Sequence, residues 1–136
     1  MSIAHRRIVL AEDDQVTARL MEIALKRTGI PLQIQTVYDG GHAISAVEDC
    51  LADLLLLDLH LTGKNGFEVL EHVKRNDALR RMPVLMFSNS DQAADARKAY
   101  DLHVNAYIRK STEFPELCRI MEKTVHFWLQ TAVPAF

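Results

Sequence analysis

Short apolar runs alternate with amphipathic stretches along the chain. Ile8-Val9-Leu10-Ala11 carries no polar residue and stops at Glu12-Asp13-Asp14, the pattern of a buried strand that ends at solvent. Val16, Leu20, Ile23, Ala24 and Arg27 then follow a helical period, with Asp14 as N-cap and Gly29 as stop. Leu32 to Val37 predicts a second strand and Asp39-Gly40-Gly41 a turn, before a helix carrying Ala43, Ile44, Ala46, Val47 and Cys50. Leu54-Leu55-Leu56-Leu57, flanked by Asp53 and Asp58, suits a strand covered on both faces. A loop from His60 to Gly66 leads into a third helix marked by Phe67, Val69, Leu70 and Val73. Pro83 opens a fourth strand, Val84 to Phe87, which ends at Ser88-Asn89-Ser90. An alanine-rich helix covers Asp91 to Tyr100, and Val104 to Ile108 is a fifth strand ending at Arg109-Lys110. The last helix runs from Glu113 to Gln130.

Five strand–helix alternations predict an α/β fold with a parallel sheet, because each parallel crossover needs a helix. No linker, repeat or shift in composition divides the chain, so one domain is expected over 1–136, its core over 7–130 and a tail over 131–136. Composition narrows the setting. A net charge of −2 gives no basic field and argues against nucleic acid as a partner. No apolar stretch approaches the roughly 18 residues of a membrane span, and the N-terminus lacks a signal-peptide core. Cys50 and Cys118 form no CxxC and fall within apolar helical patterns, as buried thiols of a reducing compartment do. The expected location is the cytoplasm.

Chemistry in open α/β sheets gathers at the carboxyl ends of the strands. There the first strand delivers Glu12 and Asp13, the third Asp58, the fourth Ser88 and the fifth Lys110. Singly, each has an ordinary explanation: a helix cap, a turn or a solvated lysine. Together, three crowded carboxylates repel unless a cation sits among them. Hard oxygen donors suit Mg²⁺, or Mn²⁺, with further positions left to water and phosphate oxygens. An ammonium and a hydroxyl beside them complete the parts needed to transfer a phosphoryl group to an aspartate.

The pattern resembles the receiver domain of two-component response regulators. The matching pieces are Leu10-Ala11-Glu12-Asp13-Asp14, Leu57-Asp58-Leu59, Asn65-Gly66, Ser88, Tyr107 and Lys110. The resemblance implies a flavodoxin-like (βα)5 three-layer sandwich with strand order 2-1-3-4-5. It implies that Asp58 accepts a phosphoryl group from a kinase phosphohistidine. It also implies a metal bound by Asp13 directly, by Glu12 through water, and by Asp58 and the His60 backbone carbonyl. Lys110 would pair with Asp58 and then with the phosphoryl group, Ser88 would hydrogen-bond it, and Tyr107 would swing inward behind Ser88. His60 and Ser90 occupy positions that tune the lifetime of the phosphoryl group in such domains.

Two residues depart from the family pattern. Thr62 and Ser111 stand where proline is usual, so the loop after Asp58 is expected to be less rigid. The Lys110-Ser111 bond is expected to stay cis so that Lys110 reaches Asp58, although a non-proline cis bond costs about 2.5–4 kcal/mol.

Tyr100 to Ile108, Lys110-Ser111 and Phe127-Trp128-Leu129 are further similar to small stand-alone receivers that serve bacterial, notably cyanobacterial, phytochrome histidine kinases. This implies a phytochrome-type sensor kinase as partner and no output domain. On the last helix, Phe114, Leu117, Cys118, Met121, Val125, Trp128 and Leu129 form one apolar face. Ile120 and Phe127 lie to one side of it as a second strip. With Tyr107, Trp128 and the apolar tail 132–136, that strip predicts a homodimer through the fifth strand and last helix.

Two other classes compete. An aspartate-nucleophile phosphatase would need a general acid two residues beyond Asp58, where His60 stands; a signalling protein rather than an enzyme is therefore expected. A phosphorylation-independent binding module would not need the whole set from Glu12 to Lys110. A receiver that only relays or drains phosphoryl groups remains open within the favoured class.

Overall fold

A computed structural model describes residues 5–134. The chain forms β1 (Arg6–Ala11), α1 (Gln15–Lys26), β2 (Leu32–Val37), α2 (Gly40–Asp49) and β3 (Leu54–Asp58). It continues with α3 (Gly66–Arg75), β4 (Val84–Ser88), α4 (Ala93–Asp101), β5 (Ala106–Arg109) and α5 (Phe114–His126), which runs on into a π-helical turn, Phe127–Thr131. The sheet has the order β2-β1-β3-β4-β5, and every pairing is parallel. This is the flavodoxin-like arrangement expected from the sequence.

The leucine run explains the three layers. Successive strand residues point to opposite faces. Leu55 and Leu57 therefore enter a cluster with Val47 of α2, Val69 and Leu70 of α3 and Ala99 of α4. Leu54 and Leu56 enter another with Met21 and Leu25 of α1 and Leu117, Met121 and Val125 of α5. Val9 and Val84 join the first cluster, Leu10 and Leu85 the second, so the central strands are covered on both sides.

Helix starts follow local capping chemistry. Asp14 accepts from the Val16 N–H at 3.2 Å and the Thr17 hydroxyl at 2.6 Å, which confirms it as the cap of α1. Asn65 and Glu68 form a reciprocal capping box at α3. Asp39-Gly40-Gly41, expected as a turn, instead starts α2: Asp39 is the cap, accepting from the His42 N–H at 2.8 Å. Gly40 belongs inside that first turn because a Cβ there would lie 1.9 Å from the Lys64 carbonyl oxygen.

Several expectations need correction. The α1 phase differs: Ala18, Met21, Ala24 and Leu25 are buried, whereas Val16 is 69% and Leu20 39% exposed. β5 begins at Ala106, because the Asn105 side chain leaves the strand pattern to accept from the Val84 N–H at 2.9 Å and the Lys74 ammonium at 2.8 Å. Ile120 is half-buried and packs against the α1–α5 cluster rather than standing in a second exposed strip. Helix α5 packs on α1 as well as on the sheet, which widens its buried arc. Trp128 is also half-buried, leaving Phe127 exposed with its ring edge-on to Trp128 at 5.2 Å. Cys50 and Cys118 are free thiols, half-buried rather than fully enclosed. Ala135 and Phe136, the end of the apolar tail, lie outside the described residues.

Candidate functional site

Parallel strands bring their carboxyl ends to one edge, and the predicted residues meet there. β1 ends one residue before Glu12, β3 ends on Asp58 and β4 on Ser88. All three side chains are buried: Glu12 is 1%, Asp58 6% and Ser88 0% exposed. Asp13 is exposed, at the mouth of the cluster. Glu12, Asp13 and Asp58 each offer a carboxylate oxygen within 4.8 Å of the others. That spacing lets three oxygens converge on one hard cation, which fits Mg²⁺ or Mn²⁺.

Lys110 supplies the positive charge. Its Nζ lies 3.3 Å from Asp58 Oδ1 and contacts Glu12 Oε1, and the lysine side chain is itself nearly buried. The Lys110-Ser111 bond is trans, since no cis peptide occurs among the described residues. The expected cis bond is not needed, because the Lys110 N–H donates to the Ser88 carbonyl at 2.9 Å. This carries the β4–β5 pairing one residue past the strand and fixes the lysine backbone beside the site.

Burial dominates the electrostatics. Desolvation and the neighbouring Asp58 carboxylate push the Glu12 carboxyl up to about 7, against the opposing pull of Lys110. The folded state thus holds a proton on Glu12 that the unfolded chain releases above its ordinary value of 4.5. Without a cation, stability from this group is present below that value and falls as pH rises towards 7.

Around the carboxylates, the backbone sets distances. The His60 N–H donates to Asp58 Oδ1 at 3.3 Å, while the His60 side chain is exposed. A Cβ on Gly66 would lie 2.5 Å from the Asp58 carbonyl oxygen, so the Asn65-Gly66 pair lets α3 begin against the end of β3. Ser88 Oγ accepts from the Ser90 N–H at 2.9 Å, and the Ser90 hydroxyl donates to Asp95 Oδ2 at 2.6 Å. This ties the end of β4 to the first turn of α4.

Tyr107 is half-buried against the α2–α3–α4 cluster, and its hydroxyl is buried with no hydrogen-bond partner among the described residues. An unpaired buried hydroxyl costs about 1–3 kcal/mol. The Tyr107 N–H donates to the Tyr100 hydroxyl at 3.1 Å, linking β5 to α4.

Comparison with known proteins decides the family. The sequence profile described as "Response regulator receiver domain" matches residues 8–122. The chain belongs to the response regulator receiver domain family. This receiver is 34% identical over 131 residues to the response regulator Rcp1 of Synechocystis sp., covering 91% of this chain and 89% of that protein. Its fold matches the crystal structure of the phosphorylated cyanobacterial phytochrome response regulator RcpA with a TM-score of 0.92. The two are 38% identical, and the match covers 98% of this chain and 100% of that one. The Mn²⁺-bound form of Rcp1 matches with a TM-score of 0.86 at 32% identity, over 96% and 99% of the two chains. The receiver is thus related to phytochrome response regulators, and its acidic cluster is in place for phosphorylation-based signalling. No helix among its described residues is long and apolar enough to cross a membrane.

Two features at the site were not read from the sequence. One is the exposed pair Val16 and Leu20, one turn apart on α1, the helix that starts three residues after Glu12. The other is the Thr62 hydroxyl, 3.4 Å from Asp13 Oδ2. The exposed pair follows from the corrected helix phase. The Thr62 contact joins residues far apart in sequence, and local patterns carry no signal for it.

Proposed function

We propose that this receiver accepts a phosphoryl group on Asp58 from the phosphohistidine of a sensor histidine kinase of the phytochrome type. One observation carries the reading: a buried Asp58 stands within reach of both Lys110 and the Glu12–Asp13 carboxylates. An Asp58 carboxylate oxygen bonds to phosphorus as the donor's N–P bond breaks. The electron pair returns to the imidazole nitrogen, which takes up a proton. Asp13, Glu12, Asp58 and the His60 carbonyl would hold Mg²⁺ or Mn²⁺, which when bound offsets the charge on the phosphoryl oxygens.

The transfer places roughly two negative charges at Asp58. Lys110 is already 3.3 Å from that carboxylate and pairs with the new charge. Ser88 accepts from Ser90, and no acceptor for its own proton occurs among the described residues, so it can donate to a phosphoryl oxygen. A shift of Ser88 reaches α4 through Ser90 and Asp95, and Tyr107 through β4–β5 pairing. The switched surface is α4, β5 and α5, and a homodimer through β5 and α5 would use Phe127 with the edges of Ile120, Trp128 and Tyr107. The protein acts in the cytoplasm and transforms only its own Asp58, rather than turning over a separate substrate.

The kinase must bring its histidine to the open edge of the sheet. Val16 and Leu20 are apolar, exposed and on the helix that leaves that edge, so they suit the apolar centre of a docking interface. Val16→Asp should slow phosphotransfer from a phytochrome-type kinase by about tenfold or more, as hot-spot losses do. Its modification by acetyl phosphate should stay within about twofold, because the phosphoryl chemistry is untouched. An equal loss with both donors would remove α1 from the docking surface; no transfer to the parent protein from any phytochrome-type kinase would remove the kinase class.

The raised Glu12 carboxyl makes a second prediction. Protons compete with the cation for Glu12, so Mg²⁺ affinity should weaken about tenfold between roughly pH 8 and roughly pH 6. Calorimetric titration measures this; a flat profile would show that Glu12 does not take part.

A further inference from the structure

We infer that Thr62 is a positioning residue for the metal-binding carboxylate Asp13, which its hydroxyl orients at the mouth of the site. The inference rests on the metal-site reading of Glu12, Asp13 and Asp58.

The geometry has two parts. First, the backbone of Thr62 is fixed from outside its own loop. Thr62 pairs with Asp39 in an isolated parallel bridge, and its carbonyl accepts the Gly40 N–H at 3.1 Å. Gly40 lies in the first turn of α2, which Asp39 caps. Gly63 follows with φ +73°, and Asn65 caps α3, so the loop is held at both ends. Pairing to the start of α2 thus anchors the backbone of a loop that lacks the proline ring.

Second, the Thr62 side chain points to Asp13. Its Oγ1 donates to Asp13 Oδ2 at 3.4 Å, and no other donor to that carboxylate occurs among the described residues. Glu12 and Asp58 are buried and held by Lys110 and the His60 N–H. Asp13 is exposed, so without a partner its carboxylate would sample several rotamers at the mouth of the site. A β-branched side chain has few χ1 options, which makes threonine a stiffer arm than serine. An outer hydrogen bond that orients a ligand commonly raises metal affinity about 10- to 100-fold. A long, exposed bond should sit at the lower limit. The plainer reading is a solvated loop threonine whose contact with Asp13 has no consequence.

Thr62→Val keeps the branched shape and removes the donor, and Thr62→Ser keeps the donor. Mg²⁺ binding to the unphosphorylated protein is measured by calorimetric titration, beside thermal unfolding in EDTA. Thr62→Val should bind Mg²⁺ about tenfold more weakly than the parent, Thr62→Ser should stay within about threefold, and unfolding in EDTA should be the same for all three. Affinity of Thr62→Val equal to the parent's would overturn the inference. So would a serine variant as weak as the valine variant, since keeping the donor would then fail to preserve the affinity. A parent protein that binds no Mg²⁺ at all would instead bring down the metal-site reading, and the inference with it.

Discussion

Asp58→Asn is expected to take up no phosphoryl group from acetyl phosphate and Mg²⁺ under conditions that modify the parent protein. The carboxylate is the nucleophile, and an amide of nearly the same shape cannot replace it, so the rate should fall by roughly a thousandfold or more. Intact-mass spectrometry reads the result directly. The substitution should not unfold the protein. It removes one of three crowded carboxylates while leaving Lys110 in contact with Glu12, so the like-charge repulsion that raises Glu12 is relieved. A folded Asp58→Asn protein without modification supports the proposed acceptor. Parent-level modification of that variant would place the acceptor elsewhere.

Leu56→Ala should produce the largest loss of stability. Leu56 is 0% exposed at the centre of the sheet, between Leu10 on β1 and Leu85 on β4. Its side chain enters the cluster under α1 and α5. Truncation there removes transfer free energy and leaves a cavity that neighbours on two strands and two helices cannot easily fill. The expected cost is about 3–4 kcal/mol, measured by urea unfolding with an unchanged slope. A loss below about 1 kcal/mol would mean that the site can collapse, which a strand buried on both faces should not allow. Asp58 is two residues further along the same strand, so the variant should also lower phosphorylation at temperatures near its unfolding midpoint.

The sheet and the acidic cluster were legible because their signals are local. Each strand is a short apolar run, and each site residue follows directly where a run ends: Glu12-Asp13, Asp58, Ser88 and Lys110. The strand order came from family resemblance rather than from the runs themselves, which carry no pairing information. The phase of α1 was not legible, because apolar residues lie on more than one of its faces. Val16 and Leu20 compete with Ala18, Met21 and Leu25, and only packing against β1, β3 and α5 decides between them. Likewise, periodicity alone puts Ile120 off the buried face of α5 because it assumes a flat partner, whereas α1 and the sheet together cover a wider arc.

The loop after Asp58 is set by contacts distant in sequence. Replacing proline by threonine suggested a looser turn, yet Thr62 is held by the Asp39–Gly40 backbone and reaches Asp13 with its hydroxyl. Those partners lie 22 to 49 positions away in sequence, beyond any local pattern. The Lys110-Ser111 bond misled for a related reason. The expectation treated the cis bond as the means of aiming Lys110, whereas the Lys110 N–H bond to Ser88 fixes the backbone with the peptide trans.

The central claim is that Asp58 accepts the phosphoryl group in a cation-dependent step. The most direct test treats the protein with acetyl phosphate, traps the acyl phosphate by borohydride reduction and maps the modified residue by peptide mass spectrometry, with Mg²⁺ and with EDTA. The account predicts the label on Asp58 with Mg²⁺ and almost none in EDTA. A label on another residue, or equal labelling of Asp58 without the cation, would contradict it.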